Sequence, residues 1–156
     1  MRGPLRAALI VAAVFLVFPA FPANAEHRDG PCDLHQREDE GVRALSKRLI
    51  RCAADRWDIP GGAQRAICVA DHESHLNPEA VSSGGTYVGL FQHLADAWPD
   101  RYEAWTRRAW HLDESPLSGR SNAIVTVRMI NADGWGPWSG VDGCGNVDAG
   151  ARGRRR

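Results

Sequence analysis

The stretch HESHLNPEAVSSGGTYVGLFQ, which spans residues 72–92, decides the fold that we predict for this chain. It completes a helical segment over residues 60–73, because the Asn77-Pro78 pair cannot continue a helix. Glu73 therefore lies in the last turn of that helix, where helix, turn and strand are predicted to meet. Glycines in the turn that follows allow the backbone to approach a ligand closely.

The surroundings of Glu73 predict an unusual carboxyl group. Ala66 and Ala70 lie seven and three residues earlier and share its helix face, which indicates that this face packs against the core. Partial desolvation and the negative end of the helix dipole both disfavour the ionised carboxylate, so we expect a raised pKa. General acid attack on a glycosidic oxygen requires a carboxyl group that stays protonated near neutral pH. Glu73 is therefore our candidate catalytic acid.

Two separated blocks of short motifs resemble a known group of enzymes. They read Glu-Ser at 73–74, Asn-Pro-Glu-Ala-Val-Ser at 77–82, Gly-Leu-Phe-Gln at 89–92, Asn-Ala at 122–123, Met-Ile-Asn-Ala at 129–132 and Gly-Trp-Gly-Pro-Trp-Ser at 134–139. With these motifs the chain resembles the soluble lytic transglycosylase and goose-type lysozyme group of peptidoglycan-cleaving enzymes. The resemblance covers roughly residues 42–144. It implies a helix-dominated, lysozyme-like α+β fold with a short β element after the helix that carries Glu73.

Two positions depart from the pattern of that group. Ile130 stands where many members have a tyrosine near the catalytic glutamate, and Tyr87 or Tyr102 can replace that tyrosine only if the fold brings one of them close. The turn before the Gly-Leu-Phe-Gln motif is one residue longer than the commonest spacing. The equivalent serine is therefore either Ser82 or Ser83.

Acidic residues near the turn bear on the choice between two reactions. No Asp or Glu occurs between residues 82 and 92, where goose-type members often add aspartates that place a water molecule. This favours a mechanism with a single glutamate. Asp96 and Asp133 are the candidates for a second carboxylate if the reaction is hydrolysis.

The predicted substrate contacts combine aromatic, hydroxyl and amide side chains. Aromatic faces suit the apolar face of a pyranose ring. For the two tryptophans of the 134–139 loop, sugar contact and core packing are both open, whereas Trp98, Trp105 and Trp110 are expected to pack in the core. The predicted substrate-binding residues are Ser82, Ser83, Tyr87, Gln92, Asn131, Trp135 and Trp138.

The chain is expected to comprise four parts. Residues 1–25 have the basic start, apolar run and Ala-Asn-Ala cleavage site of a secretory signal, with an uncleaved anchor as the alternative. Residues 26–41 form a polar leader, residues 42–144 the catalytic domain and residues 145–156 a flexible basic tail with four arginines. We therefore expect a protein that is exported and associated with the cell wall.

All four cysteines, Cys32, Cys52, Cys68 and Cys144, lie after the predicted signal. An even number in an exported chain predicts two disulfides. One possible pairing joins Cys52 to Cys68 across a helical hairpin and leaves Cys32 for Cys144. The sequence leaves the other two pairings open.

A metal site is not predicted. His72 and His75 are three residues apart, whereas the zinc helix motif needs a spacing of four with the glutamate inside. His93 is a conceivable third ligand, but no Cys-x-x-Cys pair accompanies it. We predict neither a metal nor any other cofactor.

Patterns of apolar residues and helix breakers predict the order of elements. Helices are expected at about 42–57, 60–73 and 121–131, a strand at 86–92, and a helical segment at 94–110 interrupted by Pro99. Residues from 134 onward are expected to form a loop.

The function expected from the residues and the resemblance is cleavage of the bond from N-acetylmuramic acid to N-acetylglucosamine by a secreted lytic transglycosylase. The alternatives are a hydrolytic muramidase and a non-catalytic wall-binding module that keeps the fold. The expected partners are peptidoglycan glycan strands, with the basic tail in possible contact with anionic wall polymers. We expect a monomer that binds no nucleic acid, because no reader motif accompanies the tail.

Overall fold

The computed structural model describes residues 30–145. The secretory signal predicted for residues 1–25 lies outside the described residues, as does the basic tail after residue 145. Within the described part, none of the helices is long and apolar enough to cross a membrane.

The described chain contains four α-helices and one two-stranded antiparallel sheet. The helices are α1 (Val42–Arg56), α2 (Gly62–Ser74), α3 (Trp98–Trp105) and α4 (Gly119–Asp133), and the strands are β1 (Tyr87–Val88) and β2 (His93–Leu94). Single 3₁₀ turns occupy Ala95–Ala97, Arg108–Trp110 and Gly136–Trp138. Four helices with one small sheet confirm the helix-dominated α+β class that the sequence predicts.

Helix α4 forms the centre of the core, because α1 and α3 both pack against it. Its residues Ile124, Val127 and Ile130 are fully buried. Helix α1 contributes Leu49 and Ile50 to the same core. Each such side chain contributes about 1.5–3 kcal/mol by leaving water. The face of α2 that precedes Glu73 is fixed against this core.

Three of the predicted helices are confirmed within a few residues, and the fourth segment differs. Ser118 caps α4, its side-chain oxygen accepting the Ser121 N–H, so α4 begins two residues earlier than predicted. Pro99 does not interrupt a long helix. It lies in the first turn of the short α3, where a missing N–H costs nothing.

The predicted single strand over 86–92 is wrong. Two residues pair on each side of a tight turn instead, with Tyr87 opposite Leu94 and Val88 opposite His93. Gly89 has φ +80°, and a Cβ there would lie 2.2 Å from both the Asn122 side chain and a carbonyl. Only glycine fits at this turn, because its φ is positive and the space that a side chain would need is already occupied.

The four cysteines form two disulfides, as predicted, with a pairing that the sequence left open. Cys32 joins Cys52, and Cys68 joins Cys144. The Cys52–Cys68 alternative is thus not formed. The leader is held further by Arg120 of α4, which donates to the carbonyl of Pro31 and to carbonyl and carboxylate oxygens beside it.

Candidate active site

The end of α2, the β-turn and the loop after α4 surround a cleft of about 500 Å³. Its lining combines one acid, one cation, three polar or apolar wall residues and two aromatic rings. These residues are Glu73, Tyr87, Gln92, Leu94, Arg101, Pro137 and Trp138. The structure therefore brings four of the predicted site residues together: Glu73, Tyr87, Gln92 and Trp138.

Helix α2 ends at the position that places Glu73 at the cleft. His75 and Leu76 both adopt left-handed conformations, with φ of +53° and +61°, so the helix cannot continue. The Ser74 hydroxyl lies 2.8 Å from the carbonyl oxygen of Leu90 and 3.1 Å from that of Ala70. Ser74 thereby fixes the helix end to the turn between β1 and β2.

The carboxyl group of Glu73 is half-buried beside the core. Burial raises its pKa above the ordinary value, and the neighbouring His72 lowers it by a smaller amount. Among residues 30–145, Glu73 is the only acid that lines this cleft. A protonated carboxyl group in this position can donate its proton to a bound ligand.

The turn between α2 and β2 is held by two of the predicted residues. The Ser82 hydroxyl accepts the Tyr87 N–H at 2.8 Å. Gln92 has φ +47°, and its side-chain NH₂ donates to the carbonyl oxygens of Gly89 at 2.9 Å and Ala80 at 3.2 Å. Gln92 thus both stabilises the turn and lines the cleft, and its amide oxygen stays available to a ligand.

The remaining predicted contacts lie away from the cleft lining. Ser83 is exposed at the turn, and Ser82 shapes the turn without lining the cleft. Asn131 donates to the carbonyl oxygen of Asp58. Trp135 is 7% exposed, donates to the Pro60 carbonyl and lies beneath the Arg65 guanidinium at 4.4 Å. These contacts fix the helix α4 end against the α1–α2 loop.

Trp138 lies in the core and also borders the cleft. It is 4% exposed, and its indole N–H donates to the Phe91 carbonyl at 2.9 Å. Its ring also packs edge-on against Phe91 and His93. One edge nevertheless lines the cleft. Trp138 is therefore a core residue that forms part of the cleft wall.

Of the two tyrosines that could replace the one missing at position 130, only one lines the cleft. Ile130 is fully buried. The Tyr102 hydroxyl donates to the Leu112 carbonyl, and Tyr102 does not line the cleft, whereas Tyr87 does. Asp96 and Asp133, the candidates for a second carboxylate, do not line the cleft either.

Asn122 at the start of α4 organises the turn from below. Its side-chain oxygen accepts the Phe91 N–H at 3.0 Å, and its NH₂ donates to the Pro116 carbonyl at 2.8 Å. Because Asn122 is fully buried, both bonds are strongly favoured. Asn122 belongs to the second block of motifs, and its hydrogen bonds connect that block to the turn of the first block.

Sequence reasoning missed one wall of the cleft. Arg101 lines it, and its Nη1 atom lies 2.8 Å from His93 Nδ1. His93 Nε2 lies 2.7 Å from the Thr126 hydroxyl. His93 is 1% exposed, and burial together with Arg101 lowers its pKa to about 3. The cue in the sequence was a histidine directly after Gln92, and the partners of its side chain lie on α3 and α4.

The histidines considered as metal ligands are not gathered at one site. His93 bonds Arg101 and Thr126, while His72 and His75 are exposed at the end of α2. Within residues 30–145, one group of potential ligand atoms lies within 4.8 Å, namely those of Cys68, His72 and Cys144. Both sulfurs of that group form a disulfide, which leaves one ligand atom.

A second depression of about 850 Å³ lies along another face of α3. It contains Glu103 and Glu114, and both residues are exposed. Of the two depressions, only the cleft of about 500 Å³ contains a half-buried acid, which is Glu73. We therefore place the candidate active site there.

Comparisons with protein-family models, with curated proteins and with solved structures gave no match to this chain. The functional assignment consequently depends on the sequence motifs and on the geometry of the cleft.

Proposed function

We propose that the chain is a secreted, lysozyme-like enzyme that cleaves peptidoglycan between N-acetylmuramic acid and N-acetylglucosamine. The observation that carries the proposal is the half-buried carboxyl group of Glu73 in a cleft with Tyr87 and Gln92. Tyr87 and Leu94, each more than two-fifths exposed, add apolar surface to that cleft. Exposed aromatic and aliphatic surface beside a proton donor suits a sugar ring.

Glu73 acts first as an acid and then as a base. It donates its proton to the glycosidic oxygen, the bond from the muramic C1 atom to that oxygen breaks, and an oxocarbenium-like centre develops at C1. The Glu73 carboxylate then takes the proton of the muramic 6-hydroxyl, whose oxygen bonds to C1. The products are a free N-acetylglucosamine 4-hydroxyl and a 1,6-anhydro-muramic end. Glu73 is again protonated.

The single acid of the cleft favours this reaction over hydrolysis. Most glycoside hydrolases use two carboxyl groups, one as acid and one as base or nucleophile. Glu73 is the one acid among the lining residues described. Intramolecular attack by the 6-hydroxyl needs no second carboxylate to place water, so we propose lytic transglycosylation.

Export to the wall agrees with the two disulfides. Disulfides persist in oxidising, extracytoplasmic compartments, and both bridges are formed in the described chain. The proposed partners are glycan strands, bound by a monomer, with the basic tail as an auxiliary contact to anionic polymers.

The proposed mechanism has a defined pH dependence. Since burial raises the pKa of Glu73, its acid form persists to a higher pH than that of an ordinary glutamate. Cleavage should therefore be fastest at mildly acidic pH and fall on the alkaline side as Glu73 ionises. Chelators should leave the rate unchanged.

Digestion of purified sacculi tests the proposal. The mature protein should release muropeptides with 1,6-anhydro ends, which are 18 mass units lighter than hydrated reducing ends because water is not added. Hydrated ends would identify a muramidase. Absence of release, with the folded state verified, would overturn the enzymatic proposal in favour of the wall-binding alternative, which Ile130 in place of the family tyrosine favours.

A further inference from the structure

Arg101 is a cation on the wall of the cleft whose known partner is a neutral group. Its guanidinium bonds His93. The ion pairs among residues 30–145 engage other basic residues, namely His35, Arg43, Arg48 and Arg120. No carboxylate of the described chain therefore neutralises Arg101. Since a half-buried cation without a counter-ion is unfavourable, its retention in a cleft calls for an explanation.

A chain of hydrogen bonds fixes the position of this guanidinium. A guanidinium can only donate, so His93 Nδ1 must be the acceptor and Nε2 carries the hydrogen. Nε2–H then donates to the Thr126 hydroxyl, which donates to the Asn122 carbonyl at 2.8 Å. The His93 ring is packed edge-on against Trp98 at 5.1 Å. The anchor is rigid and keeps Arg101 preorganised.

Arg101 does not serve to adjust the acidity of Glu73. The pKa of Glu73 responds to burial and to His72, and the pKa of Arg101 responds to burial alone. The two groups line one cleft and do not form an ion pair with each other in the described chain. A ligand that contacts both must therefore present a proton acceptor to Glu73 and a different group to Arg101.

We propose that Arg101 is a subsite for a carboxylate carried by the muramic residue of the bound glycan, which extends the proposed function and rests on it. A guanidinium binds a carboxylate through two parallel N–H···O bonds that are strengthened by the opposite charges. A neutral acetamido or hydroxyl group lacks the negative charge that would complement the guanidinium. Muramic acid offers this group in two ways, as the lactyl carboxylate of a peptide-free residue or as a carboxylate of its stem peptide. A polymer of N-acetylglucosamine alone offers none. Arg101 therefore makes the cleft selective for muramic-containing glycan.

Calorimetric binding to a Glu73→Gln protein tests this without interference from cleavage. The ligands are a peptide-free muramic-containing tetrasaccharide, the same glycan with its stem peptides, and chitotetraose. Adding Arg101→Gln should weaken binding of at least one carboxylate-bearing glycan by about tenfold or more and leave chitotetraose unchanged. The glycan that loses affinity identifies which carboxylate is bound. Arg51→Gln, at an exposed arginine of α1, is the matched control and should change nothing.

Two further measurements separate recognition from structure. Arg101→Lys keeps the charge without the planar fork and should restore part of the lost affinity. Raising the salt concentration should weaken binding of the carboxylate-bearing glycans to the protein with Arg101 intact, and spare chitotetraose. This salt test decides the matter even if Arg101→Gln fails to fold. Equal loss for all three ligands, or equal salt dependence, would overturn the subsite.

Failure of this inference is distinguishable from failure of the proposed function. If wild-type protein releases anhydro-muropeptides while Arg101→Gln binds all glycans normally, only the carboxylate subsite is wrong. If carboxylate-selective binding depends on Arg101 but sacculi are never cleaved, the subsite stands and the catalytic proposal fails. If none of the three glycans binds, both are overturned.

Discussion

Acid should destabilise this protein through the buried His93. Burial, reinforced by the Arg101 charge, lowers the pKa of His93 from 6.5 to about 3. As the pH falls, His93 is therefore protonated near pH 6.5 in the unfolded chain but only near pH 3 in the folded chain. The stabilising contribution is complete above pH 6.5 and is lost as pH falls from 6.5 towards 3.

The size of this effect follows from the width of that window. Each pKa unit corresponds to about 1.36 kcal/mol, so lowering the pH from 7 to 4 should reduce the free energy of unfolding by on the order of 3 kcal/mol through His93. Glu73 acts in the opposite direction, because its pKa is raised and its contribution is lost as pH rises. A comparison of variants that all contain Glu73 removes that opposing effect from the difference.

Urea unfolding at pH 7, 5.5 and 4 measures the effect in wild type, His93→Gln and His35→Gln. Glutamine can accept from Arg101 and donate to Thr126, and it does not titrate. His93→Gln should therefore lose most of the pH dependence, whereas His35→Gln, at a side chain 88% exposed, should keep it. Parallel stability curves for wild type and His93→Gln would refute the reasoning and place the acid sensitivity elsewhere.

Three further predictions concern the core and the covalent bridges. Trp138→Ala and Trp135→Ala should each cost about 3–5 kcal/mol of stability in urea unfolding, because both rings are buried. Of the two, only Trp138→Ala should also weaken glycan binding by the folded protein, and equal binding losses would contradict the placement of Trp135 outside the cleft lining. Thiol titration of the exported native protein should find no free cysteine, and two or more reactive thiols would contradict the formation of two disulfides. Removing the Cys68–Cys144 bridge, whose sequence separation is 76, should cost about 4–5 kcal/mol, more than the about 3 kcal/mol for the bridge with a separation of 20, and the reverse order would count against loop closure as the cause.

The parts of the fold that could be predicted from the sequence are those set by local periodicity. Apolar residues at helical spacing gave α1, α2 and α4, and Asn77-Pro78 marked the end of α2 closely enough to place Glu73 in its last turn. The raised pKa of Glu73 was also predictable, since it depends on burial beside a helix face of small apolar residues. The candidate acid is thus a local feature of the chain.

The features that could not be predicted depend on contacts between distant segments. The turn at Gly89 packs against Asn122, which is 33 residues later in the sequence, and this contact is not visible in the local run of β-branched and aromatic residues that predicted one strand. Arg101 reaches the cleft because its partner His93 is buried against α4. The residues around an arginine on a short helix do not indicate that its side chain will line a cleft. The disulfide pairing likewise required the helix packing to be known.

The two tryptophans of the 134–139 loop are both buried, but only one of them lines the cleft. Trp135 and Trp138 have the same local surroundings of glycine and proline in the sequence. Their difference comes from their acceptors, the Pro60 carbonyl for one and the Phe91 carbonyl for the other. Only the second acceptor belongs to the segment beside the cleft.

The rate of muropeptide release by Glu73→Gln, measured beside wild type and Glu79→Gln, tests the central claim most directly. Glutamine keeps the shape of Glu73 but has no proton to donate, so release from sacculi should fall by roughly 100-fold or more with an unchanged melting temperature. Glu79 is an exposed acid six residues later, and Glu79→Gln should retain the wild-type rate. Retained release by Glu73→Gln, at the same melting temperature, would contradict the account by removing Glu73 from the mechanism.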